Sequence, residues 1–456
     1  MSQKEKEENM ITQPEVRESV AQAIATGEFQ EGDWPDEKWW HAFGSVELDN
    51  LIEETLAQNP TIAAVKQRVA QAKQNAIITR SKLFPFIFFD ANESYMHLSK
   101  NGLYHALNDS IDLNNNLMDL SLGFNWELDF WGKNKNLYLS SIGTEMANLA
   151  ESSQVELIIT TALSQLYYAL KANLERKGLY ERLVVVRSER ALLENLMQNQ
   201  ALLSKLPTQL ADERVEEAAQ LLYSITDEIA TNYHEINALR GQGPDATVAL
   251  DEWPLMPPVA NIIPTTLSSQ LLCRRPDLMA AKWRIESQLH NVNAAIADFF
   301  PRINLKALAG FESVAIRKIF EGASGTASLL PSLHLPIFTA GAIRANVNKK
   351  KAAYQEAVFS FNEILLRSVK EVADALVVLD SVIKQKKSQK LVVESTAFRL
   401  DLTTLNFESG LENRLSVLKL EEEVIEQALQ DVALLYTQYA TQIQLIKSLG
   451  GGYHCE

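Results

Sequence analysis

Residues 118–130 read Met-Asp-Leu-Ser-Leu-Gly-Phe-Asn-Trp-Glu-Leu-Asp-Phe. Even positions carry Met118, Leu120, Leu122, Phe124, Trp126, Leu128 and Phe130, and odd positions carry Asp119, Ser121, Gly123, Asn125, Glu127 and Asp129. A two-residue period sustained this long is a β-strand with one apolar face. Its length exceeds the roughly 9–11 residues that a tilted strand needs to cross a bilayer. A weaker partner precedes it from Phe86 to Met96, where Ile87, Phe89, Ala91 and Tyr95 oppose Asp90, Asn92 and Ser94. The pair predicts a hairpin with a long loop near 97–116.

Working outward, the helical stretch before this hairpin recurs later in the chain. Shifted by 216 positions, QNPTIAAVKQRVAQAKQNA falls on RRPDLMAAKWRIESQLHNV, and LFPFIFFDA falls on FFPRINLKA. Pro60 meets Pro276, Lys66 meets Lys282, Arg68 meets Arg284, Asn75 meets Asn291, and Pro85 meets Pro301. Chance supplies roughly one identity in twenty, so an ungapped cluster of this kind points to duplication. Each copy predicts a helix of about 20 residues between its two prolines, because Pro suits the first helical turn and stops a helix further on.

The second copy repeats the hairpin. Ile303, Leu305, Ala307, Ala309 and Phe311 oppose Arg302, Asn304, Lys306 and Glu312. Across a Gly- and Ser-rich loop at 314–327, Leu329, Leu333, Leu335 and Ile337 oppose Ser328, Ser332 and His334. Taken alone, these strands suit a soluble sandwich better, since its sheets also bury one face. The helices shift that reading. No breaker appears between Gly132 and Leu206–Pro207, nor between Gly341 and Thr404. Each stretch predicts a rod of about 65 residues, roughly 100 Å long. Val369, Val372, Leu376, Leu379 and Ile383 step by three and four, while Leu411, Leu418, Ile425, Val432, Tyr439 and Ile446 step by sevens, as coiled-coil seams do. A short helix and a last helix of about 33 residues nearly match each rod in summed length. Four strands cannot close a barrel, and open edges are not tolerated in lipid. Closure needs several chains, and three supply twelve strands.

The chain has 456 residues, 46% hydrophobic and 22% charged, with a net charge of -15. It therefore folds, and its acidity argues against nucleic acid as a partner. The two cysteines, Cys273 and Cys455, form neither a disulfide framework nor a CxxC site. No apolar run reaches about 18 residues, which excludes a transmembrane helix but not spanning strands. The start, MSQKEKEENMITQPEV, shows no export signal. On that ground either the start is trimmed or misassigned, or the protein stays in the cytoplasm.

Several segments together resemble the TolC-like outer-membrane efflux proteins, in particular the RND-type channel components of the NodT-related branch. They are LLCRRPDLMAAKWRIE at 271–286, FFPRINLKALAGFES at 299–313, LPIFTAGAIRANV at 335–347, WELDFWGKNKN at 126–136 and KSLGGGY at 447–453. The resemblance runs from about Trp39 to Tyr453. It implies an α+β membrane protein in which a long α-helical coiled-coil barrel continues a β-barrel built from four strands per chain, twelve in a homotrimer. It also implies residence in outer-membrane lipid, a periplasmic tunnel, a periplasmic adaptor protein and an inner-membrane pump as partners, and neither catalysis nor a cofactor.

On this basis the chain divides into an N-terminal segment, 1–45, in an equatorial belt; a first repeat, 46–241, with its hairpin at 83–131; a linker, 242–264; a second repeat, 265–446, with its hairpin at 299–338; and a tail, 447–456. By position, the second helical tip lies within FESGLENRLSVLKLEEEV, 407–424, with Gly410 at the family's turn glycine. Relatives tend to carry Asp and then Arg three residues on. Lys419 and Glu422 stand there in reversed order, and with Arg414 and Gly410 they are the candidate periplasmic gate. The competing reading of Lys419 and Glu422 is an ordinary solvated i, i+3 pair. The first tip carries Pro207 and no glycine, which puts gating and adaptor contacts there in doubt. The N-terminal lipidated cysteine of many relatives is not matched.

The aromatic residues Phe86, Phe88, Phe89, Trp126, Phe130 and Trp131 are candidates for a membrane-interface girdle, with core packing as the alternative. Seven histidines show no HExxH spacing, and no metal site is assigned. His97 and His105 share the long loop, where solvent is the simpler partner than a metal. GASG at 322–325 reads as a turn, and neither a GxxxxGK[ST] loop nor a GxSxG elbow occurs. The sequence thus reads as a passive export duct for small molecules. A soluble coiled-coil scaffold is the other reading, and an enzyme is disfavoured.

Overall fold

A computed structural model of the chain describes residues 30–248, 262–264 and 274–454. The N-terminal lead, most of the inter-repeat linker and both cysteines lie outside the described residues. The order is β1 (Gln30–Gly32), a 3-10 turn (Trp39–Phe43), α1 (Val46–Gln58), α2 (Pro60–Ser81), β2 (Phe86–His97), α3 (Leu103–Leu107), β3 (Asn114–Leu128), α4 (Lys133–Asn199) and α5 (Lys205–Leu239). There follow β4 (Ile262–Pro264), α6 (Pro276–Ala297), β5 (Arg302–Ser313), β6 (Gly325–His334), α7 (Ala342–Glu408) and α8 (Arg414–Leu449). The lengths match in pairs: 22 residues in α2 and α6, 67 in α4 and α7, and 35 and 36 in α5 and α8.

Local chemistry sets the boundaries. Pro60 opens α2, and the Asn59 side chain accepts from the Thr61 and Ile62 N–H groups at 2.8 and 3.0 Å, satisfying donors that a helix start leaves unpaired. Pro276 opens α6, with Asp277 in the first turn, where a carboxylate favours the positive helix end.

The chain forms two compact units, each described in turn. The first comprises Arg68–Leu149 and Ala280–Phe361. Its sheet runs β2-β3-β5-β6, antiparallel throughout. In register, Phe89 faces Leu122, Leu122 faces Ala309, and Ala309 faces Ala327. One face is therefore apolar across all four strands, because side chains alternate with the pleat. β6 begins earlier and ends sooner than its alternation suggests, so Leu335 and Ile337 fall beyond the strand. Pro336, two residues past the end of β6, has no N–H to continue the ladder; Pro331 is accommodated because β6 is an edge strand. Where α4 meets α6, Gly143 lies against the Ser287 backbone, and Ser140 and Ser287 share a buried hydroxyl contact of 3.0 Å.

The second unit holds the described parts of Ile11–Gln67, Ala150–Met279 and Asn362–Glu456. Its core joins Trp39, Trp40 and Leu48 to Tyr167, Tyr168 and Tyr439. Tyr168 and Tyr439 stack at 3.9 Å, while the Tyr167 hydroxyl donates to Glu47 at 2.7 Å. Burial pushes the Tyr439 phenol up to about 12. On α8, Leu418, Ile425, Val432 and Tyr439 are buried at heptad spacing. Leu411, read as the first member of that seam, is 77% exposed. Asn413 caps α8 by accepting from the Ser416 N–H, so Leu411 sits in the turn before the helix.

The RRPDL and GGG motifs meet in this unit. The Arg275 guanidinium, 4% exposed, pairs with Asp277 at 2.7 Å and Glu371 at 2.9 Å and donates to the Ser448 carbonyl at 2.8 Å. Burial disfavours its charge, but the Asp277 hydrogen bonds and the Glu371 carboxylate outweigh that and raise its pKa. Gly450, Gly451 and Gly452 all have positive φ, and a Cβ on any of them would strike the Arg274 carbonyl, the Leu157 side chain or the Asp36 carbonyl respectively. Only glycine fits this path.

Candidate functional site: sheet face and helical tips

The sheet presents its surface on both sides. β2 and β6 are exposed along nearly their whole length, and each leaves one edge unpaired among the described residues. The register sorts the candidate girdle aromatics. Phe89 and Trp126 lie on the apolar face, with Trp126 donating its indole N–H to the Leu83 carbonyl at 3.1 Å. Phe86 pairs with Asn125 and Phe88 with Gly123, which puts both rings on the opposite face. They stack on each other at 5.7 Å, and Phe88 covers Gly123, where a Cβ would collide with its ring. Four successive apolar residues, Phe86 to Phe89, cannot share one face of a pleated strand. Phe130 and Trp131 follow the strand; Trp131 stacks on Phe300 at 4.6 Å and donates to the Pro301 carbonyl at 2.9 Å, fixing the strand-to-helix joint.

The second unit contains both helical tips. Gly410 has φ +75, and the Gly410 and Leu411 N–H groups bond to the carbonyls of Phe407 and Asn406, the αL ending that satisfies a helix's last carbonyls. The first tip turns in the same manner without glycine: Ala201 has φ 57, and Ala201 and Leu202 bond back to Gln198 and Met197. Pro207 is the third residue of α5, where its missing N–H has no intrahelical partner to lose.

Lys419 and Glu422 do not pair. Lys419 is exposed and makes no ion pair among the described residues. Glu422 is buried against α4, with Arg190 at 3.2 Å and Arg187 at 4.0 Å. Arg190 also bonds Glu194 at 2.8 Å. Arg414 forks onto Glu189 at 2.8 and 2.9 Å and reaches Glu421 at 3.0 Å. That hydrogen bond, opposed by slight burial and helped by the guanidinium's charge, holds the Glu189 carboxyl below the usual carboxylate range. Of the four candidate gate residues, the structure thus engages Glu422 and Arg414 in helix-to-helix links, leaves Lys419 exposed, and gives Gly410 the turn. Arg187, Glu189, Arg190 and Glu194 were not singled out from sequence. The spacing of Arg190 and Glu194 shows an i, i+4 pair, but nothing local reveals partners more than 200 residues away. His97 bonds Asn114 at 2.6 Å, and no metal-holding cluster of His, Cys, Asp or Glu occurs among the described residues.

A four-stranded sheet with one continuous apolar face, joined to paired 67-residue helices, defines a channel architecture in which spanning strands and helical rods belong to one chain. The outer membrane efflux protein family profile matches residues 51–242 and 267–451. The chain belongs to that family and is a subunit of an outer-membrane efflux channel. It is 28% identical over 428 residues to the multidrug resistance outer membrane protein MdtP of Escherichia coli strain K12, covering 92% of this chain and 87% of the relative. It is 27% identical over 438 residues to MdtQ of Escherichia coli O6:H1, covering 92% and 89%. Among solved structures, it resembles the outer-membrane channel OprN with a TM-score of 0.85 at 24% identity, covering 94% of this chain and 95% of that one. For VceC of Vibrio cholerae the TM-score is 0.81 at 25% identity, covering 92% and 100%. The family is one of transport ducts, and the scaffold reading is not favoured.

Proposed function

We propose that three copies of this chain close a twelve-stranded barrel and form a passive duct for small molecules, with a periplasmic adaptor and an inner-membrane pump as its partners. The observation that carries this reading is the sheet whose β2 and β6 edges are unpaired among the described residues, with an apolar face exposed in a single chain. Unpaired backbone groups are too costly in hydrocarbon for that sheet to cross a membrane alone. Joining β6 of one copy to β2 of the next removes every edge. The multidrug resistance names of the relatives support small molecules as cargo, and the duct itself makes and breaks no covalent bond.

At the tips, the links of Arg190 with Glu422 and of Arg414 with Glu189 hold α8 against α4, and Gly410 sets the turn. We assign these contacts, with Lys419 available to a neighbouring copy, to the closed state of the aperture. Intact mass measurement of detergent-purified protein is expected to give three times 51.1 kDa. A monomer that remains in the soluble fraction overturns the duct.

A further inference from the structure

The protein carries a net charge of -15, yet no Asp or Glu occurs between Gly322 and Gln355. This stretch contains β6, the turn that leaves the sheet, and the first turns of α7. Within it the apolar side chains of Ile337 and Phe338 are 93% and 88% exposed. Arg344, Lys349, Lys350 and Lys351 follow directly. All but the half-buried Lys350 are exposed, and none of the four makes an ion pair among the described residues. Large apolar side chains in water next to unpaired cations are costly in a water-soluble setting and match the boundary of a bilayer.

The corresponding place in the first half is built differently. There Asp129 accepts from the Asn134 and Lys135 N–H groups at the start of α4, at 3.0 and 2.7 Å. Nearby, Asp298 takes both Lys133 and Arg302, at 2.7 and 2.8 Å. Lys133 and Arg302 are paired within the chain, while Lys135, at the place equivalent to Arg344, is exposed without an ion pair among the described residues. At the start of α7, Phe338 stands at the place equivalent to Asp129 when the two 67-residue helices are aligned, and among the described residues no carboxylate pairs with the four cations. Val347 and Tyr354 mark the packed side of α7, with Lys349 turned about 200° from Val347 and Lys351 only about 40° from it. The charges therefore fan around the helix within about 14 Å of its start, where long side chains can extend toward a headgroup layer.

We infer that Arg344, Lys349, Lys350 and Lys351, beside the exposed Ile337 and Phe338, form a collar that binds acidic phospholipid headgroups of the periplasmic leaflet. The collar adds lipid selectivity to the outer-membrane channel. Its chemistry is that of a phosphodiester drawing unpaired cations while the neighbouring apolar side chains enter the acyl region.

The test uses the full chain exchanged from detergent into nanodiscs of equal parts phosphatidylglycerol and phosphatidylethanolamine, with retained lipid counted after partial delipidation. Wild type is expected to retain the acidic lipid about threefold over the zwitterionic one, with the preference falling as salt rises. The combined substitutions Arg344→Gln, Lys349→Gln, Lys350→Gln and Lys351→Gln bring the ratio to about one. Lys349→Arg, Lys350→Arg and Lys351→Arg together keep it. If the fourfold variant does not assemble, Lys349→Gln with Lys351→Gln is expected to lose about half of the preference. An equal ratio in wild type, an unchanged ratio in assembled glutamine variants, or altered ion selectivity of the duct with unchanged lipid retention overturns the collar. Membrane insertion without lipid preference sinks this inference alone and leaves the duct standing.

Discussion

Ala201 and Gly410 occupy the same left-handed position, two residues past the ends of two 67-residue helices, with φ of 57 and 75. Both close their helices with the same pair of backbone hydrogen bonds. One tip uses the residue suited to that conformation and the other does not. A side chain at this φ costs about 1–2 kcal/mol. Ala201→Gly is therefore expected to stabilise the first tip by about 1 kcal/mol. Gly410→Ala is expected to destabilise the second by a similar amount, since a Cβ there meets nothing and the backbone term stands alone. Hydrogen exchange at the two tips reads the shifts; shifts of the same sign contradict the assignment.

Glu422→Ala removes the carboxylate that Arg190 and Arg187 share on α8, leaving Arg190 with Glu194 and Arg187 with Glu217 and Glu426. Because both guanidiniums keep a carboxylate, the loss stays below the roughly 3–5 kcal/mol of a fully stranded buried charge, yet the α4–α8 contact loosens, and single-channel conductance in planar bilayers is expected to rise. Lys419→Ala, which removes no ion pair among the described residues, tests the other half of the candidate gate. If Lys419→Ala opens the channel more than Glu422→Ala does, the gating contact lies between copies rather than within one.

The Glu189–Arg414 fork gives the tip an acid limit. The Glu189 pKa is depressed in the folded protein, so its contribution is complete above the unfolded carboxylate value of about 4.3. It is lost as pH falls through the lower folded value. The pair is partly exposed, with Glu189 at 41%, and its worth is about 0–1 kcal/mol. Open probability is expected to rise slightly as pH drops below about 4, and Glu189→Gln is expected to abolish that step. An unchanged acid step in the glutamine variant assigns it elsewhere.

In the sheet, Gly310 lies against the Leu120 carbonyl and the Ser121 backbone, neither of which can withdraw, whereas Gly123 lies under the Phe88 ring. Gly310→Ala is expected to break the β3–β5 pairing and abolish assembly. Gly123→Ala is expected to be rescued by Phe88→Ala, because one ring is the whole obstacle. A heat-modifiable trimer band reports both, and failed rescue shows that Phe88 is not what constrains Gly123.

Arg275 is the buried charge on which Asp277, Glu371 and the Ser448 carbonyl converge. Arg275→Ala is expected to cost about 3–5 kcal/mol, and Arg275→Lys to recover little of it, because an ammonium cannot reproduce the fork onto Asp277. Thermal unfolding of the purified protein decides; full recovery with lysine removes the geometric argument.

The parts legible in the sequence were those with a local period. The alternation from Met118 to Leu128 is a strand, and the prolines at 60 and 276 open helices. What escaped depended on partners distant in the chain or on where a period begins. Phe86 to Phe89 has no alternation of its own, so its faces follow only from pairing with Gly123 and Asn125. Leu411 fits a heptad whose helix starts three residues later, at a cap that Asn413 and Ser416 do encode. The Arg190–Glu422 link joins halves of the chain that no short window compares. The KSLGGGY motif was visible as a pattern, while the reason for its glycines lay in the Arg274 and Asp36 carbonyls.

The equality of the two 67-residue helices makes each a gauge for the other. A single residue inserted into α4 alone would advance its end by about 1.5 Å and swing it by about 100°, carrying Arg187 and Arg190 off the glutamates of α8. Two such rods can change length only together, and in steps of whole heptads that return each face to its partner. The reach of this protein is therefore inherited as a matched pair of measurements, and homologues of different length are expected to differ by the same number of residues in both.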